Sequence, residues 1–93
     1  TQTGTTYTVA VNDVGRMVTM NNAGAITLSV NNGLGLVAGE RIDLLQLGAG
    51  QVTVGGTATI NGTPGLKLRA QYSAATLFCT GTNTYVLIGD TAA

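Results

Sequence analysis

Short apolar runs recur along the chain with a period of two, the period of strands that face a core on one side. They are rich in Thr, Val, Ile and Tyr, and clusters of Gly and Asn separate them. The pattern predicts strands near Thr6–Val11, Arg16–Met20, Ala25–Val30, Arg41–Leu47, Gln51–Val54, Ala58–Ile60, Leu66–Ala70, Thr76–Thr80 and Thr84–Ile88. Turn signals lie between them, among them Asn12-Asp13, Asn21-Asn22, Gly48-Ala49-Gly50, Gly55-Gly56 and Gly81-Thr82-Asn83. A spacing of about ten residues suits an antiparallel sandwich or barrel. The expected fold class is therefore all-β, a small antiparallel β-sandwich or jelly-roll-like barrel of about eight short strands. Leu34–Val37 is too short and too glycine-flanked for a helix. No internal repeat or linker is evident, so residues 1–93 read as a single domain. Its ends, 1–5 and 91–93, are expected to be flexible or to contact a partner.

Two hairpins can be registered by matching faces. A three-residue loop, Gly55 to Thr57, sets Val54 against Ala58, Thr53 against Thr59 and Val52 against Ile60. A loop of Gly81-Thr82-Asn83 sets Thr80 against Thr84, Cys79 against Tyr85, Phe78 against Val86 and Leu77 against Leu87. One face of this second hairpin carries Leu77, Cys79, Tyr85 and Leu87; the other carries Phe78, Val86 and Ile88. Arg41–Leu47 doubles in the same way, with Leu45 and Leu47 opposite Ile42 and Leu44. A sheet with one wet side alternates apolar with polar. A small sandwich has one interior, so the second apolar face needs a cover, and another copy of the chain supplies one.

Composition sharpens this picture. Charged residues make up 9% of the 93, against about 25% in ordinary soluble domains, while 44% are hydrophobic. Four acids cancel four bases. With no basic stripe, nucleic acid and anionic membranes are not expected partners. No apolar run approaches a bilayer span, and Thr1-Gln2-Thr3-Gly4 does not read as a signal peptide. A single cysteine makes no intrachain disulfide, which leaves self-association as a source of stability.

Candidate chemistry is sparse. There is no histidine, so Ser–His–Asp and Cys–His arrangements within the chain are excluded. Cys79 reads as a small buried hydrophobe rather than a thiolate. The acids Asp13, Glu40, Asp43 and Asp90 show no paired spacing, and Asn12-Asp13 reads as turn chemistry rather than a calcium loop. Gly33–Gly39, GLGLVAG, lacks the Lys-Ser/Thr of a phosphate loop. Asn61-Gly62-Thr63 matches a glycosylation sequon of the kind that glycine-rich turns produce by accident. No catalytic residue, cofactor or metal is expected. Arg41 and Asp43 share a face and could pair with each other or across a subunit boundary. Lys67 and Arg69 form a small basic pair on an outward face, read as a solvated edge or an acidic-partner contact.

The segment RIDLLQLGAGQVTV (Arg41–Val54), a T-I-N turn, and then LKLRAQYSAATLFCTGTNTYVLIGD (Leu66–Asp90) resemble a β-rich structural module of tailed-bacteriophage virion proteins. YTVAVNDVGRMVTMNNAGAITLSV (Tyr7–Val30) fits its opening, so the resemblance covers Tyr7 to Asp90. Its strongest motif is Leu68–Ala75, L-R-A-Q-Y-S-A-A, with the closing Gly89-Asp90. The chain departs from the module in Asn31–Gly39, glycine-rich where relatives tend to carry proline. The module brings no settled catalytic residues. It implies a non-enzymatic domain located on the virion, met in tail fibres and in capsid decoration proteins, contacting other virion proteins and assembling as a homo-oligomer, with a trimer favoured.

Two expectations about function follow. The first is a self-associating structural domain, a fibre or spike domain or a cement protein, with Leu45, Leu47, Phe78, Val86 and Ile88, or their opposite-face counterparts, as packing candidates; the sequence leaves open which face is the inner one. Arg41, Asp43, Lys67 and Arg69 are its polar contact candidates. The alternative is a fibre-tip module that binds a host surface receptor or glycan, for which Tyr7, Tyr72 and Tyr85 are the available aromatics. An enzyme, such as a glycan lyase, ranks last.

Overall fold

The computed structural model describes residues 2–62 and 65–92. Ten strands form among the described residues: β1 Thr6–Thr8, β2 Met17–Met20, β3 Ile26–Ser29, β4 Arg41–Gln46, β5 Val52–Gly55, β6 Thr59–Gly62, β7 Lys67–Leu68, β8 Ala74–Gly81, β9 Thr84–Gly89 and β10 Thr91–Ala92. They make two five-stranded sheets, β1-β3-β5-β7-β10 (sheet one) and β2-β4-β8-β9-β6 (sheet two). The all-β, two-layer expectation stands, and the strands alternate as strands packed on one core should. Ile26 and Leu28, Ile42 and Leu44, Leu77 and Cys79, and Tyr85 and Leu87 all point inward, joined by Val9, Val30, Val52, Val54 and Leu68.

The sheets are mixed, which corrects the antiparallel expectation. From β1 to β6 the chain steps from one sheet to the other at each strand, so strands one winding apart run parallel. Parallel strands need a long crossover, and here the intervening strand of the opposite sheet is that crossover. β6 keeps the direction of β2 and β4 but pairs with β9, because the β8–β9 hairpin fills the gap between β4 and β6. The expected Val52–Ile60 hairpin does not form. β5 belongs to sheet one and β6 to sheet two. Val52 and Ile60 do meet the same interior, but from opposite sides.

The winding brings segments 26 positions apart into register. Met17 pairs with Asp43 and Ile26 with Val52, each 26 positions apart. At that offset Ala23-Gly24 lies on Ala49-Gly50, and I-T-L on V-T-V. The turns stack directly: the Gly50 N–H donates to the Asn22 carbonyl at 2.8 Å. A Cβ at Gly50 would sit 1.8 Å from the Gly24 oxygen, so only glycine fits there.

Several boundaries move. β1 stops at Thr8 because Val11–Asp13 makes a 3-10 turn, in which Asp13 accepts the Ala10 N–H. The Leu66–Ala70 strand shrinks to Lys67–Leu68, since a turn begins at Ala70. The β8–β9 register is as expected from Leu77 to Cys79. The hairpin loop differs: a bulge at Thr80 leaves Gly81 opposite Thr84, and the Thr82-Asn83 turn is completed by Asn83 at φ 55. Toward the ends of the chain, Gln2 bridges Met20 and Thr91–Ala92 pairs with β7, so both segments take part in the sheets; Thr1 and Ala93 lie outside the described residues.

Candidate self-association face

The two outer faces of the sandwich differ in chemistry. On sheet one the outward register row reads Thr6, Thr27, Thr53, Lys67 and Ala92, and the next reads Thr8, Ser29 and Gly55. These residues hydrate readily. On sheet two the outward rows are Met17, Asp43, Thr76 and Ile88, then Arg41, Phe78, Val86 and Asn61. Leu45 lies between Thr19 and Ala74, and Leu47 continues the outward parity of β4.

All five apolar packing candidates, Leu45, Leu47, Phe78, Val86 and Ile88, therefore fall on one outward face. Leu45, Leu47, Phe78 and Val86 are half-buried by their neighbours, and Ile88 is 53% exposed. The sequence left open which side of the β8–β9 hairpin was the core. The structure assigns Leu77, Cys79, Tyr85 and Leu87 inward, where Val54, Ile26 and Met20 belong to the same core. Met17, 51% exposed, was missed as a member of the outer face. The inward parity of Val18 and Met20 was the signal for it.

Of the polar candidates, Arg41 and Asp43 lie on this face but do not pair with each other. Asp43 accepts the Thr76 hydroxyl at 2.8 Å, and among the described residues the ion pair is Arg69–Asp90. Lys67 sits on the outer side of sheet one, next to Thr53. Arg69 is exposed, as expected, but it is also paired. Its Nε and Nη2 hold the two carboxylate oxygens of Asp90 at 2.7 and 2.9 Å. This pairing lowers the Asp90 pKa, helped by the Ser73 hydroxyl at 2.8 Å, and raises that of Arg69.

That cluster explains the L-R-A-Q-Y-S-A-A motif and its distant Gly-Asp. Leu68 enters the core, Arg69 and Ser73 hold Asp90, and the Ser73 Oγ also accepts the Ala70 N–H. Gln71 donates to the Leu47 carbonyl at 3.0 Å. Gly89 stands at φ 135 against Ala75, where a Cβ would lie 2.7 Å from the Ala75 Cα. Within this clamp Tyr72 adopts φ 70 and is 70% exposed. The other tyrosines are occupied. Tyr85 is core, and burial raises its pKa, with Cys79 and Glu40 adding. Tyr7 donates to Asp13 at 2.7 Å.

The remaining sequence motifs resolve as local structure. The Cys79 thiol is buried and donates to the Gly81 carbonyl. Glu40 caps the Val37 N–H, and Gly33–Gly39 tucks Leu36 into the core. Among the described residues no three His, Cys, Asp or Glu side chains gather into a metal-holding group, and Asp13 serves Tyr7 and Ala10. Asn61 is exposed beside Val86; Thr63 of the sequon lies outside the described residues. In comparisons with known proteins, no family model, no curated protein and no solved structure matches the chain.

Proposed function

We propose that this chain is a non-enzymatic structural domain of a tailed-phage virion, serving in a fibre, a spike or a capsid decoration, and that it works by self-association through the outer face of sheet two. The observation that carries the reading is the asymmetry of the two outer faces. One is a threonine-rich surface suited to water; the other gathers Leu45, Leu47, Phe78, Val86 and Ile88 on a single side. Covering roughly 400 Å² of apolar surface on each copy yields about 10 kcal/mol per copy before association costs are subtracted. The placement on a virion and the preference for a trimer rest on the resemblance of Tyr7–Asp90 to phage structural modules. Sedimentation of the purified chain tests the mechanism. Association at micromolar concentration supports it, and a monomer throughout that range removes it.

A second reading is favoured by one observation. Tyr72 is an exposed aromatic on a turn locked by hydrogen bonds and the Arg69–Asp90 pair, a suitable rigid platform for a sugar ring in a receptor-binding tip. Binding on a glycan array that Tyr72→Ala abolishes would promote this reading over the first.

A further inference from the structure

We infer that the outer face of sheet two docks onto a second copy of itself about a two-fold axis, with Arg41 of each copy against Asp43 of the other. The inference rests on the self-association reading and goes beyond it by fixing symmetry and register, a two-fold pair in place of the trimer that the resemblance favours.

The inward residues Ile42, Leu77 and Leu87 form one row, paired across β4, β8 and β9. One step to either side lie the two outward rows. Arg41, Phe78 and Val86 are on one side; Asp43, Thr76 and Ile88 are on the other. Consider a two-fold axis in the plane of the face, perpendicular to the strands and above that inward row. It exchanges the outward rows. Arg41 then meets Asp43 of the second copy twice over, and Val86 meets Ile88 twice over. Charge meets opposite charge and aliphatic meets aliphatic, while Phe78 packs over Thr76 between them. Now turn the axis along the strands, above the central β8. It lays Arg41 on Val86 and Asp43 on Ile88, which buries charges against hydrocarbon without partners. Of these two arrangements, the first is the one that pairs the charges.

Two further observations identify the occupant as a second copy. Among the described residues Arg41 and Asp43 have no charged partner, since Asp43 takes the neutral Thr76 hydroxyl and the ion pair lies elsewhere. The face is also self-complementary, which is what an isologous contact requires and what an unrelated partner has no reason to match.

The test is sedimentation velocity over a concentration series with Arg41→Asp, Asp43→Arg and their equimolar mixture. Each variant alone sets like charges against each other, so its association weakens at least tenfold relative to the unaltered chain. The mixture pairs an all-acidic face with an all-basic one and recovers a two-body complex. An odd-membered ring cannot alternate the two variants, so a trimer would leave one like-charged junction and stay weak. Because Asp43→Arg also loses the Thr76 hydrogen bond, circular dichroism checks its fold. A second pair, Val86→Lys and Ile88→Glu, then carries the same mixing test at positions without hydrogen-bonded roles. Complementary recovery in either mixture supports the inference. Unweakened single variants, mixtures that stay monomeric, or a three-body unaltered chain overturn it while leaving self-association intact. A monomeric unaltered chain overturns both.

Discussion

The side-chain oxygen of Gln46 accepts the backbone N–H of Val52 at 3.0 Å, across the gap between sheet two and sheet one. Gln46 is 1% exposed, and its amide nitrogen donates to the Gly48 carbonyl at 3.2 Å. One polar side chain in the core thus ties β4 to β5 and holds the turn that joins them. Gln46→Leu keeps the volume but orphans a buried N–H, at a cost of about 1–3 kcal/mol. The expected result is a melting temperature lower by roughly 4–8 °C per kcal/mol in calorimetry, with secondary structure unchanged below the transition.

The stacked turns make a sharper demand. Gly50→Ala places a methyl inside the van der Waals radius of the Gly24 carbonyl oxygen, and the facing atoms are backbone that cannot swing aside. Opening that stack also breaks the Gly50-to-Asn22 hydrogen bond. The loss expected is about 3 kcal/mol or more, at the large end for a single substitution. Urea titration with the adjacent Ala49→Ser as control checks it, and a loss under 1 kcal/mol would contradict the stacked geometry.

Which parts of this were readable beforehand follows from what alternation encodes. The β8–β9 pairing was legible because Cys79 and Tyr85, and Phe78 and Val86, sort like with like around a short turn. The same logic failed at Val52 and Ile60. Alternation records that a residue points inward, not which of two sheets it points from, so a hairpin and a sheet crossing produce one pattern. The apolar set on the outer face was legible as a set, but its orientation was not, since both sides of β8 are apolar and the remaining core comes from distant strands. The Arg69–Asp90 clamp joins positions 21 apart that only the closing of sheet one by β10 brings together.

Acid should act on that clamp. Asp90 is held ionised in the folded chain by Arg69 first and Ser73 second, so its pKa lies below the ordinary 3.8. The unfolded chain therefore binds the proton more readily. The stability this supplies is complete above the ordinary value and is lost as pH falls below it, through the lowered one. Urea midpoints measured from pH 6 down to pH 2 should fall more steeply for the unaltered chain than for Asp90→Asn, which has no proton to take up. Parallel curves would mean the pair contributes nothing in solution.

Alkali should act at Tyr7, with the opposite sign. Burial chiefly, and then the hydrogen bond and charge of Asp13, push its hydroxyl from 10.0 up to about 12. The folded chain keeps the proton that the unfolded chain releases near 10. This contribution is present below pH 10 and is lost as pH rises through about 12. Ultraviolet difference absorbance should resolve late-titrating tyrosines, and Tyr7→Phe should remove Tyr7's share while leaving that of the buried Tyr85. Tyr7→Phe also forfeits a hydrogen bond worth about 1 kcal/mol at neutral pH.

Adjacent residues on β8 separate folding from assembly. Phe78 points out of sheet two and Cys79 points into the core, one step apart on the same strand. Phe78→Asp adds a charge to the outer face without touching the interior, so the melting temperature of the monomer should move by only a few degrees while the sedimenting species falls to one chain. Cys79→Ala removes a sulfur from a fully buried site and costs about 1 kcal/mol of fold stability, yet leaves the outer face as it was. Its association constant should match that of the unaltered chain. If Cys79→Ala dissociates the complex while Phe78→Asp does not, the surface that joins copies is not this one. The threonine face of sheet one, or an open strand edge such as β1, would then have to supply the contact.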